Sequence, residues 1–155
     1  MNIYLDDKRM PIMSFKDFTI DFTIVRNFDD FCKMVDENLD KIEFVSFDHD
    51  LADYKDGVER TGMDCANYLM DACYDNDTKL PDWYVHSDNT SGRENIIRKM
   101  VNYMKVVQSV DVSEFNRNHR GFMKGNFIWN VKFERFIDMD EKWIRKNFKI
   151  YLLYL

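Results

Sequence analysis

The chain has 155 residues, of which 45 % are hydrophobic and 15 % aromatic, enough to build the core of a single domain over residues 1–155. A formal charge of −6 argues against nonspecific nucleic-acid binding, which relies on Lys and Arg replacing counterions along phosphates. No apolar run approaches the roughly 18 residues of a membrane span and no basic-then-apolar leader opens the chain, so no membrane partner and a cytoplasmic location are expected.

The short apolar run Asn2–Leu5 reads as a strand and ends in the acidic pair Asp6-Asp7. An irregular segment follows, then a second strand over Phe22–Arg26. Asn27 is placed to cap a helix whose first turn holds Asp29 and Asp30, with Phe28, Phe31, Cys32, Val35, Leu39 and Ile42 on one face. A third strand, Phe44–Asp48, runs into His49-Asp50-Leu51 and crowds two carboxylates and an imidazole into three positions.

Thr61-x-x-Asp64 has the spacing of a capping box ahead of Cys65, Ala66, Leu69, Ala72 and Cys73. The fourth strand, Trp83–Ser87, starts the polar series His86-Ser87-Asp88-Asn89. Ser91-x-x-Glu94 then reads as a capping box for a helix carrying Ile96, Ile97, Met100, Val101 and Met104, a methionine-rich face of core character. Cys32, Cys65 and Cys73 show no CxxC spacing and are expected as buried free thiols.

Beyond about residue 106 the pattern weakens. Residues 111–125 read as a loop; Phe127, Trp129, Val131 and Phe133 alternate as in a strand; Asp138 is placed to cap a short helix; Ile150–Leu155 is apolar enough for a terminal strand. This extension, 106–155, offers a substrate wall, a surface for a homo-oligomer, or cover for the sheet. Frequent Asn, Asp, Lys, Met and Phe suit an AT-rich genome such as many phages have.

Apolar strands alternating with capped helices indicate an α/β fold with a parallel sheet covered by helices on both faces. In such sheets ligands bind beyond the carboxyl ends of the strands, and all three polar clusters fall there. One shared site is therefore expected. Asp6, Asp7, Asp48 and Asp50 offer hard oxygen ligands suited to Mg²⁺ or Mn²⁺. Ser87, Asn89 and Arg93, at a helix start, are candidates for binding phosphate. His86 is a candidate general acid or base, with Asp48 and His49 as further catalytic candidates, whereas His119 stands in a polar loop and reads as solvated. GxGxxG, GxxxxGK[ST], HExxH and GxSxG are all missing from the sequence, which removes the better-known nucleotide, protease and esterase readings.

Ile3-Tyr4-Leu5-Asp6-Asp7-Lys8-Arg9 with Pro11, then Phe47-Asp48-His49-Asp50-Leu51, Thr61-Gly62, and His86-Ser87-x-Asn89-x-x-Gly92-Arg93-Glu94-Asn95 together resemble the cyclic-phosphate processing receiver-like domains over about residues 1–105. The resemblance implies a receiver-like, flavodoxin-type α/β fold and a role in processing cyclic phosphates of RNA or nucleotide metabolism. The acidic pair and Asp48 match the metal and aspartyl-phosphate positions of phospho-accepting receivers, and Ser87 can fill the Ser/Thr position after the fourth strand. No convincing lysine ends a fifth strand, and His49 and Asp50 stand where small or apolar residues are expected, so phosphorelay signalling is disfavoured.

The expected function is a metal-assisted phosphoesterase acting on a small cyclic phosphate or cyclic nucleotide. The rival is a non-catalytic binder that sequesters a nucleotide signal, as a phage protein blocking host defence would. A degenerate receiver serving only as an interaction module is disfavoured by the costly cluster of ionisable groups.

Overall fold

The computed structural model describes residues 1–15, 20–113 and 120–122. Its strands are β1 (Asn2–Leu5), β2 (Thr23–Val25), β3 (Phe44–Phe47), β4 (Asp53–Lys55), β5 (Val58–Arg60), β6 (Asp82–Val85) and β7 (Gly121–Phe122). The α-helices among the described residues are α1 (Phe28–Asn38), α2 (Gly62–Asp75) and α3 (Thr90–Val106). Strands β2, β1, β3 and β6 pair in parallel in that order, and β7 adds to β6 antiparallel, giving a mostly parallel five-stranded sheet among the described residues.

Pleating sorts the strand residues onto two faces. Ile3, Leu5, Val45, Phe47, Trp83 and Val85 join one core cluster with Phe31 and Val35 of α1, Leu69 and Cys73 of α2, and Ile96, Met100 and Met104 of α3. On the other face Tyr4, Phe44 and Tyr84 pack with Phe15 and Phe22 from the connection between β1 and β2. The described part of that connection contains one 3-10 turn, Pro11–Met13, and covers its face with edge-to-face rings: Phe15 lies 6.2 Å from Tyr4 at an interplanar angle of 77°.

Local signals set most element ends. Asn27 accepts a hydrogen bond from the Asp30 N–H at the start of α1, and the Thr61/Asp64 capping box of α2 is fully formed. For α3 the expectation was displaced by two residues. Asn89, not Ser91, is the cap, its Oδ1 accepting from the Gly92 N–H at 2.9 Å, while Ser91 donates its own hydroxyl to that same oxygen. Asn and Ser are near-equal caps, so which one starts the helix depends on where the chain leaves β6.

Three strands stand where none was expected. Gly121–Phe122 falls in the segment read as a loop, because its pairing with Trp83 and Tyr84 supplies order that its own residues do not encode. The ribbon β4–β5 did carry a local signal, Asp56-Gly57, whose positive φ angles of 53° and 79° form the two-residue turn. Cys65 and Cys73 are buried free thiols as expected, but Cys32 is only half-buried. His119 and the readings for Phe127–Phe133, Asp138 and Ile150–Leu155 lie outside the described residues.

Candidate functional site

The chain runs from β1 outward to β2 and then back across to β3, so the direction of strand addition reverses between β1 and β3. A crevice opens at such a point. Asp6 follows β1 and Asp48 follows β3, and the sheet ladder continues one residue past both: Asp6 N–H donates to Val25 O at 3.1 Å and Asp48 N–H to Leu5 O at 2.9 Å. His86, after β6, is fixed in the same way by donating to Phe47 O at 2.9 Å. The ligand atoms of Asp6, Asp48 and His86 consequently lie within 4.8 Å of one another.

Each of these three side chains is buried, and each is compensated. The Asp6 carboxylate accepts from the N–H groups of Lys8 and Arg9 and from Arg9 Nε at 2.6 Å and His86 Nε2 at 3.0 Å. Burial by itself would raise its pKa; the hydrogen bonds from His86 and Arg9 outweigh that and hold it well below the ordinary carboxylate range. An ionised Asp6 can only accept, so His86 carries its proton on Nε2, and Nδ1 accepts from the Ser46 hydroxyl at 2.7 Å. Burial depresses the pKa of His86 more than its carboxylate neighbours raise it, which keeps the ring neutral. The ring also stacks on Tyr4, with centroids 4.4 Å apart.

Arg9 holds the cluster together. Besides Asp6, its guanidinium reaches Asp48 Oδ2 at 2.9 Å and Asp88 Oδ2 at 2.9 Å. Arg26, just past β2, fixes the β1 loop by donating to the carbonyls of Asp6 and Arg9 at 2.8 and 2.7 Å. Neither arginine was among the expected site residues. Arg9 was marked only by closing the Ile3–Arg9 motif and by its i,i+3 spacing from Asp6, and Arg26 acts through contacts that no spacing reveals.

Of the expected metal ligands and catalytic groups, Asp6, Asp48 and His86 form this cluster, and Asp7, His49 and Asp50 stand around it. Asp6, Asp7, Asp48 and Asp50 all line one open cleft of about 360 Å³, together with Lys8, Arg9 and Asp88. Asp7 is near Lys8 at 3.6 Å. Asp50 turns to its neighbour: His49 Nδ1 donates to Asp50 Oδ1 at 2.6 Å, and Asn89 Nδ2 donates to the same carboxylate at 2.9 Å. His49 foremost, and then Asn89, lower the pKa of Asp50.

The expected phosphate ligands make internal contacts. Ser87 is buried and its hydroxyl oxygen accepts from the Asn89 N–H at 3.3 Å; Asn89 caps α3; Arg93 donates to the Ser87 carbonyl at 2.8 Å. None of the three lines the cleft.

At the site, two glycines are required by close approach. A Cβ on Gly62 would stand 1.7 Å from the Asp48 carbonyl oxygen, and one on Gly92 would stand 2.3 Å from the His49 ring. The helix starts of α2 and α3 are thus pressed against the Asp48–His49 turn from two sides, and Gly62 N–H donates to the His49 carbonyl at 2.7 Å.

No curated protein and no solved structure matches this chain. One family model does, that of the cyclic-phosphate processing Receiver domain, over residues 1–102. Its span takes in β1 with Asp6 and Arg9, β3 with Asp48, the turn at Gly62, and β6 with His86 and the start of α3. With that match extending over most of the chain and the whole acidic crevice, this protein belongs to the cyclic-phosphate processing Receiver domain family.

Proposed function

We propose that this protein hydrolyses a small cyclic phosphate, or the cyclic phosphate of a nucleotide, with Mg²⁺ or Mn²⁺ at the carboxyl ends of β1 and β3. The observation that carries this reading is the charge of the cleft. Its described lining has six carboxylates, Asp6, Asp7, Asp48, Asp50, Glu59 and Asp88, against two cations, Lys8 and Arg9. An anionic diester brought within about 4 Å of one uncompensated carboxylate meets a repulsion of about 4 kcal/mol at an effective dielectric of about 20. A divalent cation reverses that sign.

The donor set suits a hard cation: Asp6, Asp7 and Asp48 are oxygen donors on one crevice, two of them converging on 4.8 Å with His86. When bound, the cation supplies Lewis acidity to a phosphoryl oxygen. Binding requires Arg9 to yield its contacts with Asp6 and Asp48, which frees a guanidinium suited to a bidentate grip on phosphate.

Proton transfer falls to His49. His49 does not itself line the cleft but stands between Asp48 and Asp50, which do; its Nδ1 proton is directed to Asp50, leaving Nε2 as a base, and the side chain retains 19 % exposure. His86 is 1 % exposed with both ring nitrogens engaged, so it positions Asp6 and does not meet substrate. Water attacks phosphorus and gives its proton to His49; one phosphorus–oxygen ester bond breaks, the departing oxygen takes up a proton, and a phosphomonoester results.

The test is phosphorus NMR of purified protein with a panel of cyclic nucleotides and Mg²⁺ or Mn²⁺. Conversion to monoester is expected, reduced roughly 10²–10⁴-fold in His49→Ala, the usual contribution of a general acid or base. Tight binding with no conversion would replace the enzyme by the sequestering protein. That second reading draws on one observation: Ser87, Asn89 and Arg93 contact one another, not the cleft, whose described cations are Lys8 and Arg9.

A further inference from the structure

The ribbon β4–β5 enters the fold between β3 and α2 and, with Ala52 just before it, forms one wall of the cleft through Tyr54 and Glu59. Side chains alternate across it. Asp53 and Arg60 pair on one face, and Tyr54 and Glu59 pair on the other.

The first face is clamped to the start of α1. Arg60 donates to Asp53 Oδ1 at 2.7 Å and to Asp29 Oδ1 at 2.5 Å, its guanidinium lies 5.2 Å from the centre of the Phe28 ring, and Asp53 Oδ2 accepts from the Phe28 N–H at 2.9 Å. The second face is presented to the cleft. Tyr54 is 65 % exposed there, although a tyrosine ring ordinarily gains by burial. A ribbon held this firmly on one side, with an open aromatic ring on the other, is preorganised for a planar ligand and pays little ordering entropy on binding.

We infer that Tyr54 is a specificity-determining residue that stacks on the base of a nucleoside cyclic phosphate whose phosphate lies at the Asp6–Asp48 end of the same cleft, with Glu59 accepting hydrogen bonds from the base edge or the sugar. The inference rests on the proposed phosphate site and adds the substrate class: a cyclic phosphate carrying a nucleobase, not a sugar or polyol phosphate alone. Stacking is sequence-tolerant because every base offers a π-face. The cleft volume of about 360 Å³ falls in the range of small-ligand sites.

The test uses the full chain with Mg²⁺, adenosine 2′,3′- and 3′,5′-cyclic phosphates, and the corresponding base-free methyl riboside cyclic phosphates. Binding is followed by calorimetry and turnover by phosphorus NMR. Wild type is expected to favour the adenosine compound of the accepted ring size over its base-free counterpart by roughly 5- to 150-fold, the range given by one base-stacking aromatic. Tyr54→Ala should lose that preference through Kd and KM with kcat on the base-free compound unchanged, and Tyr54→Phe should keep it. Because Tyr54 is exposed, an unaltered melting curve for both variants confirms that folding is not the cause. Equal handling of both compounds by wild type, or a Tyr54→Ala variant that retains the preference, overturns the stacking role and leaves the phosphate site standing. Failure of wild type to bind any of the four overturns the phosphate site and this inference together.

Discussion

Arg9 is the residue on which the cluster's stability turns. Asp6 is fully buried and Asp48 is 4 % exposed, and both lean on one guanidinium. Removing one partner of a buried ion pair strands the other, at a cost of about 3–5 kcal/mol. Arg9→Ala is expected to lose stability on that scale in urea unfolding with chelator present, and to regain much of it with millimolar Mg²⁺ or Mn²⁺. A variant equally unstable with and without metal would count against these carboxylates as ligands. His86 makes a separate prediction in pH. Its folded pKa lies below the ordinary 6.5, so as pH falls through about 6.5 the unfolded chain takes up the proton first. Its contribution is therefore complete above that pH and is lost progressively below it. Asp6 acts in the same direction lower down, its stabilisation being present above the ordinary 3.8 and lost towards its depressed folded value. Urea midpoints at pH 7, 6 and 5 should fall in wild type and fall less steeply in His86→Gln; parallel slopes would show that the ring does not govern this window.

At the scale of elements, the site is a junction of helix starts and strand ends, and the glycines report how tight it is. Gly62→Ala would drive a methyl group into the Asp48 carbonyl, a backbone atom that cannot rotate away. The expected cost is about 1–3 kcal/mol, as for overpacking elsewhere, together with weaker metal stabilisation because Asp48 moves with its backbone. Denaturation with and without Mn²⁺ separates the two effects; a variant with wild-type values in both would mean that α2 shifts freely. The two capping readings show what was legible here. Thr61 and Asp64 lie within one helical turn and form their box wherever the helix goes. The start of α3 lies between two good caps, Asn89 and Ser91, and the choice of Asn89 goes with the exit of the chain from β6 and the docking of Gly92 against His49, neither of which is a local signal. The ribbon had a readable Asp56-Gly57 turn, but its flanks, Asp53-Tyr54-Lys55 and Val58-Glu59-Arg60, lack apolar alternation. Its strands form because Arg60, Asp53 and Asp29 clamp them to α1.

For the molecule as a whole, an acidic cleft in a protein of net charge −6 makes cation binding a stability term. A ligand that binds only the folded state stabilises it by about 2.7 kcal/mol at a hundred times its Kd. Mg²⁺ or Mn²⁺ is therefore expected to raise the melting temperature of wild type, with the effect lost in Asp48→Asn. Calorimetry showing the same melting temperature with and without millimolar metal would remove the cation from the site. No helix among the described residues is long and apolar enough to cross a membrane.

The sequence by itself determined the strand–helix alternation, the parallel core and the concentration of polar groups at strand ends, because these rest on period-2 and period-3.6 apolar patterns and on caps that act within one turn. It also carried the family, since the strand-end motifs are local strings. Tertiary structure alone decided what each polar group does. Asp48, His49 and Asp50 are consecutive, yet the first faces Arg9, the second bonds the third, and the third meets Asn89 from another strand end. His86 reads as a catalytic base from its neighbours in sequence, and becomes a buried strut because Ser46, Tyr4 and Asp6 converge on it from β3 and β1. Burial and partner geometry across strands 40 to 80 residues apart fix a side chain's charge and reach, and no local pattern encodes them.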